Sequence, residues 1–179
     1  MEAPNANFTP QQTADALIID VKGQNQRKDA GSVNFKIWLP NSSIVDVETQ
    51  QGNISVSNIN GAMVRAHVWL SGDIDLLNIQ TPSVMAYNTT GDIIFDGVLA
   101  WAGKYEFKST QGNISIRIPG DSAFKLNATS PERSINLGVF ANGSINQSDP
   151  RKAIGQVGQN AATSLTVFNQ KGRIAFSKR

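Results

Sequence analysis

The sequence predicts an all-β protein, a single-stranded β-helix (β-solenoid) whose rungs are about 20 residues long. Three observations lead to this prediction. Glycines recur at spacings of 20, 19 and 21 residues, an isoleucine stands two positions after each of them, and short alternating runs of apolar and polar residues lie on both sides. Such alternation is typical of a half-buried strand. A repeat that holds only two short strands cannot bury its own apolar face, so stacked copies must share one core.

Tight hairpins would also fit between the paired strands, which leaves an antiparallel meander or sandwich as the alternative architecture. Identity along the columns favours the solenoid, because stacked rungs lie ~4.8 Å apart and place equivalent side chains on one another. A glycine supplies positive φ at the corner, and the Asn or Asp that follows can hydrogen-bond nearby backbone. The structural columns are Gly52, Gly72, Gly91, Gly112 and Gly172, and Ile54, Ile74, Ile93, Ile114 and Ile174.

The predicted segments of the chain follow from where this repeat is regular. Pro40 stops an early alternating run, residues 33–39, and an open solenoid end needs a cover for its strand edges. The last glycine of the column comes 60 residues after the one before it, so degenerate copies and a polar loop lie between them. About six or seven rungs are expected. The predicted division is a leader (1–13) and a solenoid domain (14–179), the latter with an amino-terminal cap (14–40), regular rungs (41–137), an irregular loop (138–160) and a closing rung (161–179).

Composition and motifs exclude several classes of function. The net charge is only +2 and no face is obviously basic, which argues against a nucleic-acid partner. One histidine and no cysteine leave zinc sites and Cys/His chemistry without their ligands. No Gly-x-Ser-x-Gly elbow, phosphate-binding glycine loop or apolar run of 18 residues occurs. We therefore predict no catalytic residue, no cofactor and no transmembrane segment in this sequence.

The carboxylates near the glycine corners raise the question of a calcium site. Asp73 and Asp92 stand one rung apart, and with Asp75 or Asp96 they could hold the ion. A solvated turn explains the same residues without an ion. The sequence favours the turn, so no metal site is predicted.

One face of the second and third rungs carries a more specific candidate. If the alternating apolar residues point inward, the stack places Arg65 beside Asp46 and His67 beside Glu48 on the outside. Exposed aromatic and charged side chains on a flat sheet are suited to stacking on sugar rings or to anchoring a protein partner. The candidate ligand-binding residues are Arg65, His67, Trp69, Met85 and Tyr87.

The alternative interpretation gives the same residues a structural role. In it, Trp69 folds over the edge of its rung or is covered by the cap or by the loop near Trp101. The charge pairs are then cross-strand complements worth ~0.2–1 kcal/mol each. The sequence alone favours this alternative.

The repeat Val-x-Val-x-Thr-x-x-Gly-Asn/Asp-Ile-x-Val, preceded by an alternating strand that ends in Leu39-Pro40, resembles the bacterial putative-adhesin family over residues 16–176. Members of that family are envelope proteins whose domain has no assigned reaction. The resemblance implies a non-enzymatic domain of the periplasm or cell surface that acts as a binding module or a spacer. Its partner would be a cell-surface glycan or an envelope protein. Residues 1–8 lack the basic start and apolar centre of a signal peptide. We therefore expect the native chain to carry a signal or anchor upstream, as family members commonly do.

Three alternative functions remain open at this point. A carbohydrate-active β-helix enzyme would need clustered carboxylates in a groove. A self-assembling scaffold would stack end to end through the edges of its rungs. An envelope-stress component would have a specific membrane-protein partner.

Overall fold

The computed structural model describes residues 6–13, 16–23, 34–142 and 144–179. The chain divides into two compact units, Met1–Trp38 and Leu39–Arg179. In the first unit, β1 (Ala6–Gln12) and β2 (Leu17–Gly23) form an antiparallel pair.

The first unit differs from the prediction in two places. The predicted leader (1–13) contains strand β1, which pairs along its whole length with β2. The alternating run 33–39 was predicted as a strand, and its described residues, 34–39, form no strand in the structure. A segment with alternating apolar residues becomes a strand only where a neighbouring strand forms hydrogen bonds with its backbone. Val33 lies outside the described residues, as do residues 24–32, and the role of 14–40 as a cap stays a prediction.

The second unit consists of two mainly parallel sheets, which confirms the predicted all-β class with almost no helix. The larger sheet contains β3 (Val45–Gln51), β5 (Met63–Ser71), β7 (Ser83–Thr90), β9 (Lys104–Gln111), β11 (Phe124–Thr129), β13 (Ser144–Asn146), β14 (Lys152–Val157) and β15 (Ser164–Asn169). The smaller sheet contains β4 (Ile54–Ser57), β6 (Ile74–Ile79), β8 (Ile93–Gly97), β10 (Ile114–Ile118), β12 (Ile135–Asn136) and β16 (Ile174–Lys178). A 3-10 helix spans Gly138–Asn142. No helix in the described part of the chain is long and apolar enough to cross a membrane.

Successive strand pairs, beginning with β3 and β4, contribute one strand to each sheet, and each such pair is a rung. In the most regular columns, the inward side chain lies on the same residue type in the next rung. The buried partners are Ile54, Ile74, Ile93 and Ile114 on the smaller sheet, and Val45, Val64 and Val84 on the larger one. Because the same shape recurs ~4.8 Å further along in these columns, the contact between rungs is the same at each step there.

The glycine corners stack with the same regularity, and the close approach of the rungs explains why glycine is required. Gly91 has φ +129°, and a Cβ on it would lie 2.2 Å from the carbonyl oxygen of Gly72. Gly112 stands in the same relation to Gly91, at 1.9 Å. Any other residue would strain the backbone and collide with the rung below.

The Asn or Asp after each corner glycine connects successive rungs. The Oδ1 atom of each accepts a hydrogen bond from the backbone N–H of its counterpart in the next rung. The bonds join Asn53 to Asp73 (2.9 Å), Asp73 to Asp92 (2.8 Å), Asp92 to Asn113 (2.7 Å) and Asn113 to Arg173 (3.2 Å). The aspartates at the corners therefore serve as acceptors for backbone N–H groups.

The order of the rungs in space departs from their order in the chain. Strands β15 and β16 lie between β9–β10 and β11–β12, so that Ile174 is the partner of both Ile114 and Ile135. An uninterrupted β-helix would keep chain order. The segment 161–179, predicted as the closing rung, is therefore an internal rung.

The corner residues give a physical reason for this insertion. Gly172 lacks the positive φ of the other corner glycines, but a Cβ on it would collide with the carbonyl oxygen of Gly112, as at the other stacked corners. The corner of the β11–β12 rung is instead Ser130-Pro131-Glu132-Arg133, without glycine, and the Ser130 hydroxyl donates to the carbonyl oxygen of Gly172 (2.8 Å). The regular copy thus matches the regular stack, and the degenerate copy lies outside it.

Within the predicted irregular loop (138–160), the described residues form the 3-10 helix and the strands β13 and β14. The two strands pair antiparallel to each other, and β14 also pairs antiparallel to β11. Phe140 is buried and lies 5.7 Å from Phe124 and 6.4 Å from Phe176, between ring centroids. The segment covers the carboxyl end of the core. Strand β14 lacks the regular alternation of buried and exposed residues that β11 and β15 show, which is why the sequence predicted a loop.

Candidate functional site

The outward side chains of β3, β5, β7 and β9 form one surface of the larger sheet, the ladder face, which β15 extends. Two rows of residues cross these strands in register. One row is Asp46, Arg65, Met85, Glu106 and Thr166, and the other is Glu48, His67, Tyr87, Lys108 and Phe168. The structure therefore brings the candidate residues of the sequence analysis together on two adjacent strands, with Trp69 following His67 on β5.

Arg65 joins the first two strands of the ladder face. Its Nε and Nη2 atoms donate to the two carboxylate oxygens of Asp46 (2.8 and 2.9 Å), and Nη2 also donates to Oε1 of Glu48 (2.6 Å). The hydrogen bond to Asp46 is the largest influence that raises the pKa of the guanidinium above its ordinary value. All three side chains are at least a third exposed, so the pairs add little stability. The bidentate pair with Asp46 and the further hydrogen bond to Glu48 do fix the positions of both carboxylates.

Trp69 is held in one orientation while much of its ring stays exposed. Its indole N–H donates to Oε2 of Glu48 (3.2 Å), and its ring lies 4.0 Å from that of His67, centroid to centroid, at an interplanar angle of 33°. The hydroxyl of Thr89 donates to the backbone carbonyl of Trp69 (2.7 Å). Trp69 is 53% exposed and Trp101 is 73% exposed, so the loop near Trp101 does not cover it.

Tyr87 continues the aromatic surface onto the next rung. Its ring meets His67 edge-on at 5.9 Å, and the Lys108 ammonium lies 5.5 Å from its centroid, within the range of a cation–π contact. Burial, followed by the charge of Glu106, raises the pKa of the Tyr87 hydroxyl. Lys108 also forms an ion pair with Glu106 at 2.5 Å, and this hydrogen bond lowers the pKa of the Glu106 carboxyl. The groups of the third and fourth rungs are thus connected to one another.

Lys108 and Phe168 belong to this surface but were missed by sequence reasoning. The alternation of Tyr105 and Phe107 already places Lys108 outward, so that signal was available. Phe168, which is 38% exposed, joins the row only because β15 lies beside β9. The order of residues in the chain carries no sign of that neighbour.

The carboxylates weighed as calcium ligands lie away from the ladder face. Asp73 and Asp92 accept backbone hydrogen bonds at the corners. Asp75 and Asp96 are on the smaller sheet, where Asp96 forms ion pairs with Arg117 (3.5 Å) and Arg179 (3.1 Å).

Comparison with known proteins agrees with this architecture. The family model described as Toastrack DUF4097 matches residues 19–176. The chain belongs to the Toastrack family. This domain of unknown function has a β-solenoid-like fold, as the two parallel sheets of the structure illustrate. A comparison with curated proteins gave no match.

A solved structure shares the fold of this Toastrack domain. It is the crystal structure of a "putative cell adhesion protein" from Clostridium sporogenes, which superposes with a TM-score of 0.51 at 11% sequence identity. The alignment covers 97% of this chain and 76% of the other. At this identity the likeness concerns the fold alone.

Proposed function

We propose that this Toastrack domain is a non-enzymatic, extracytoplasmic binding module of a bacterial cell envelope, and that it binds a surface glycan through the ladder face. The family resemblance and the name of the Clostridium sporogenes protein support an adhesion-type role. The ladder face supplies the chemistry that such a role requires.

The observation that carries the proposal is the fixed and exposed indole of Trp69. A ring with its N–H bonded to Glu48 and one side against His67 loses little conformational freedom when a ligand binds to it. Preorganised aromatic side chains are the usual anchors of binding surfaces, because they offer a large apolar area at low entropic cost. Around the ring, Arg65 has N–H donors and Glu48 has lone pairs beyond those used in their own hydrogen bonds, and these can meet the hydroxyls of a sugar.

The state of the carboxylates supports binding rather than hydrolysis. A glycosidase needs one carboxyl whose pKa is raised so that it can protonate the leaving oxygen. In the ladder face, Lys108 instead lowers the pKa of Glu106. Asp46 and Glu48 are both occupied by Arg65. This argues against the carbohydrate-active enzyme as the alternative function.

The test is a binding screen on a glycan array and on purified cell-wall polymers. Wild type is compared with a Trp69→Ala/Tyr87→Ala variant whose folding is checked by circular dichroism. The matched control is Trp101→Ala, which removes an exposed indole outside the ladder face. Binding that the double variant loses and the control keeps supports the proposal. Absence of binding by wild type, or equal binding by all three proteins, overturns it and turns attention to a protein partner.

A further inference from the structure

The aromatic surface of the ladder face recurs on successive rungs, and this regularity bears on the kind of ligand that fits. Resting on the proposed function, we infer that the ligand is a linear, uncharged polysaccharide. It lies along the axis of the stack, across the strands, with about one sugar ring for each rung.

The row that contains His67 and Tyr87 has a regular spacing across the sheet. The partners His67, Tyr87, Lys108 and Phe168 follow one another on four neighbouring strands, with Trp69 packed on the first of them. Neighbouring strands lie ~4.8 Å apart, a distance close to the length of one pyranose residue in an extended glycan. A linear chain can therefore meet an aromatic ring, or the apolar stem of Lys108, at each step.

The charges of the ladder face bear on which kind of polymer fits it. The charged residues that β3, β5, β7 and β9 present on this face are three carboxylates and three cations, namely Asp46, Glu48, Glu106, Arg65, Lys104 and Lys108. They balance, and all three carboxylates are engaged by a cation. A surface without net charge has no electrostatic preference for an acidic or a basic polymer. It suits a ligand whose hydroxyls exchange hydrogen bonds and whose ring faces are apolar.

The shape of the ladder face bears on the length of the ligand. Two depressions of the described surface, around Gly120, Asp121 and Val139, lie outside the ladder face. A flat sheet surface covers only one side of a single sugar, so one ring gains little on binding. Affinity must then accumulate over several rungs, as in multivalent binding. The ligand class is consequently a chain of sugars and not a monosaccharide.

The test is calorimetric titration with length series, from one to six residues, of neutral linear oligosaccharides of glucose, N-acetylglucosamine, mannose and xylose. For at least one series we expect the affinity to rise by about tenfold or more between two and four residues, and to level off once the row is filled. Phe168→Ala should weaken the tetrasaccharide several-fold and leave the disaccharide unchanged, since only the longer chain reaches β15. The control is Ile94→Ala, which removes a similarly exposed apolar side chain from the smaller sheet, 40% against 38% exposed. Affinity should not depend on salt, because no net charge is neutralised.

The results separate this inference from the proposed function. Binding that needs Trp69 but does not depend on chain length or on Phe168 overturns the linear-chain inference and leaves the ladder face as a binding surface. A steep fall of affinity with salt overturns the assignment of an uncharged ligand. If no neutral series binds while another envelope polymer does so through Trp69, the ligand class is wrong and the proposed function stands. If nothing binds through Trp69, both fail.

Discussion

The interior of the rungs and the ladder face are built from the same strands but obey different rules. Inside, each rung keeps an apolar residue over the one below it, and the isoleucine and corner-glycine columns repeat the residue itself. On the ladder face, each rung changes the residue, from Glu48 to His67 to Tyr87 to Lys108. A repeated interior makes each rung compatible with the next. A surface that departs from the repeat is free to carry function, and four predictions test this division.

The largest effect is expected at a stacked corner. Gly91→Ala should destabilise the protein by about 2–6 kcal/mol, because it adds backbone strain to a collision with the Gly72 carbonyl. The control is Gly52→Ala, where φ is +114° but nothing lies within 4 Å of the added Cβ; strain alone predicts about 1–3 kcal/mol. Urea denaturation measures both. Equal losses would show that the close approach of the rungs is unimportant.

The buried isoleucine column comes next. Ile93→Ala should cost about 2–5 kcal/mol, because it opens a cavity in a fully buried column. Its neighbour Ile94 points outward and is 40% exposed, so Ile94→Ala should cost less than about 1 kcal/mol. Chemical denaturation of the pair decides the point. A loss below about 1 kcal/mol for Ile93→Ala would contradict the conclusion that this side chain points into the core.

The hydrogen-bond column at the corners should have a smaller effect. Asp92→Ala removes the acceptor of the Asn113 N–H, and we expect a loss of about 0.5–1.5 kcal/mol in the free energy of unfolding. Asp92→Asn should retain most of the stability, because Asn53 and Asn113 fill the same position in neighbouring rungs. If Asp92→Asn were as unstable as Asp92→Ala, the charge rather than the hydrogen bond would matter, and the ion question would reopen.

The smallest effect is a dependence on pH. Lys108 lowers the pKa of Glu106 below its ordinary value of 4.5, so this pair stabilises the folded protein above that value. The contribution disappears as the pH falls through the folded-state pKa. The melting temperature of Lys108→Met should therefore lie slightly below that of wild type at neutral pH, and the gap should close in acid. A gap that is constant from neutral to acidic pH would contradict this origin.

Sequence reasoning predicted those parts of the molecule that depend on local period. The alternation of Val64, Ala66 and Val68 decides which side chains of β5 point outward. Because β3 and β7 carry similar inward columns, the partners of Arg65 follow without a structure. The glycine and isoleucine columns follow from the same period.

The features that sequence reasoning missed depend on contacts between distant segments. The choice of β9 as the neighbour of β15 is decided by how Gly172 fits on Gly112. The period of the sequence places Gly172 in the glycine column but does not tell which rung lies beside it. The orientation of Trp69 is likewise decided by Glu48 on another strand. The predicted alternative, a covered Trp69, was plausible from composition because large aromatic side chains are buried on average.

The most direct test of the division between interior and ladder face is a paired measurement on Trp69→Ala and Ile74→Ala, with thermal unfolding and binding to the polymer found in the screen recorded for each. We predict that Trp69→Ala melts within about 4 °C of wild type and loses binding. Ile74→Ala should melt well below wild type, by about 4–20 °C, and bind normally while folded. Loss of stability in Trp69→Ala comparable to that of Ile74→Ala, or unchanged binding, would contradict the account.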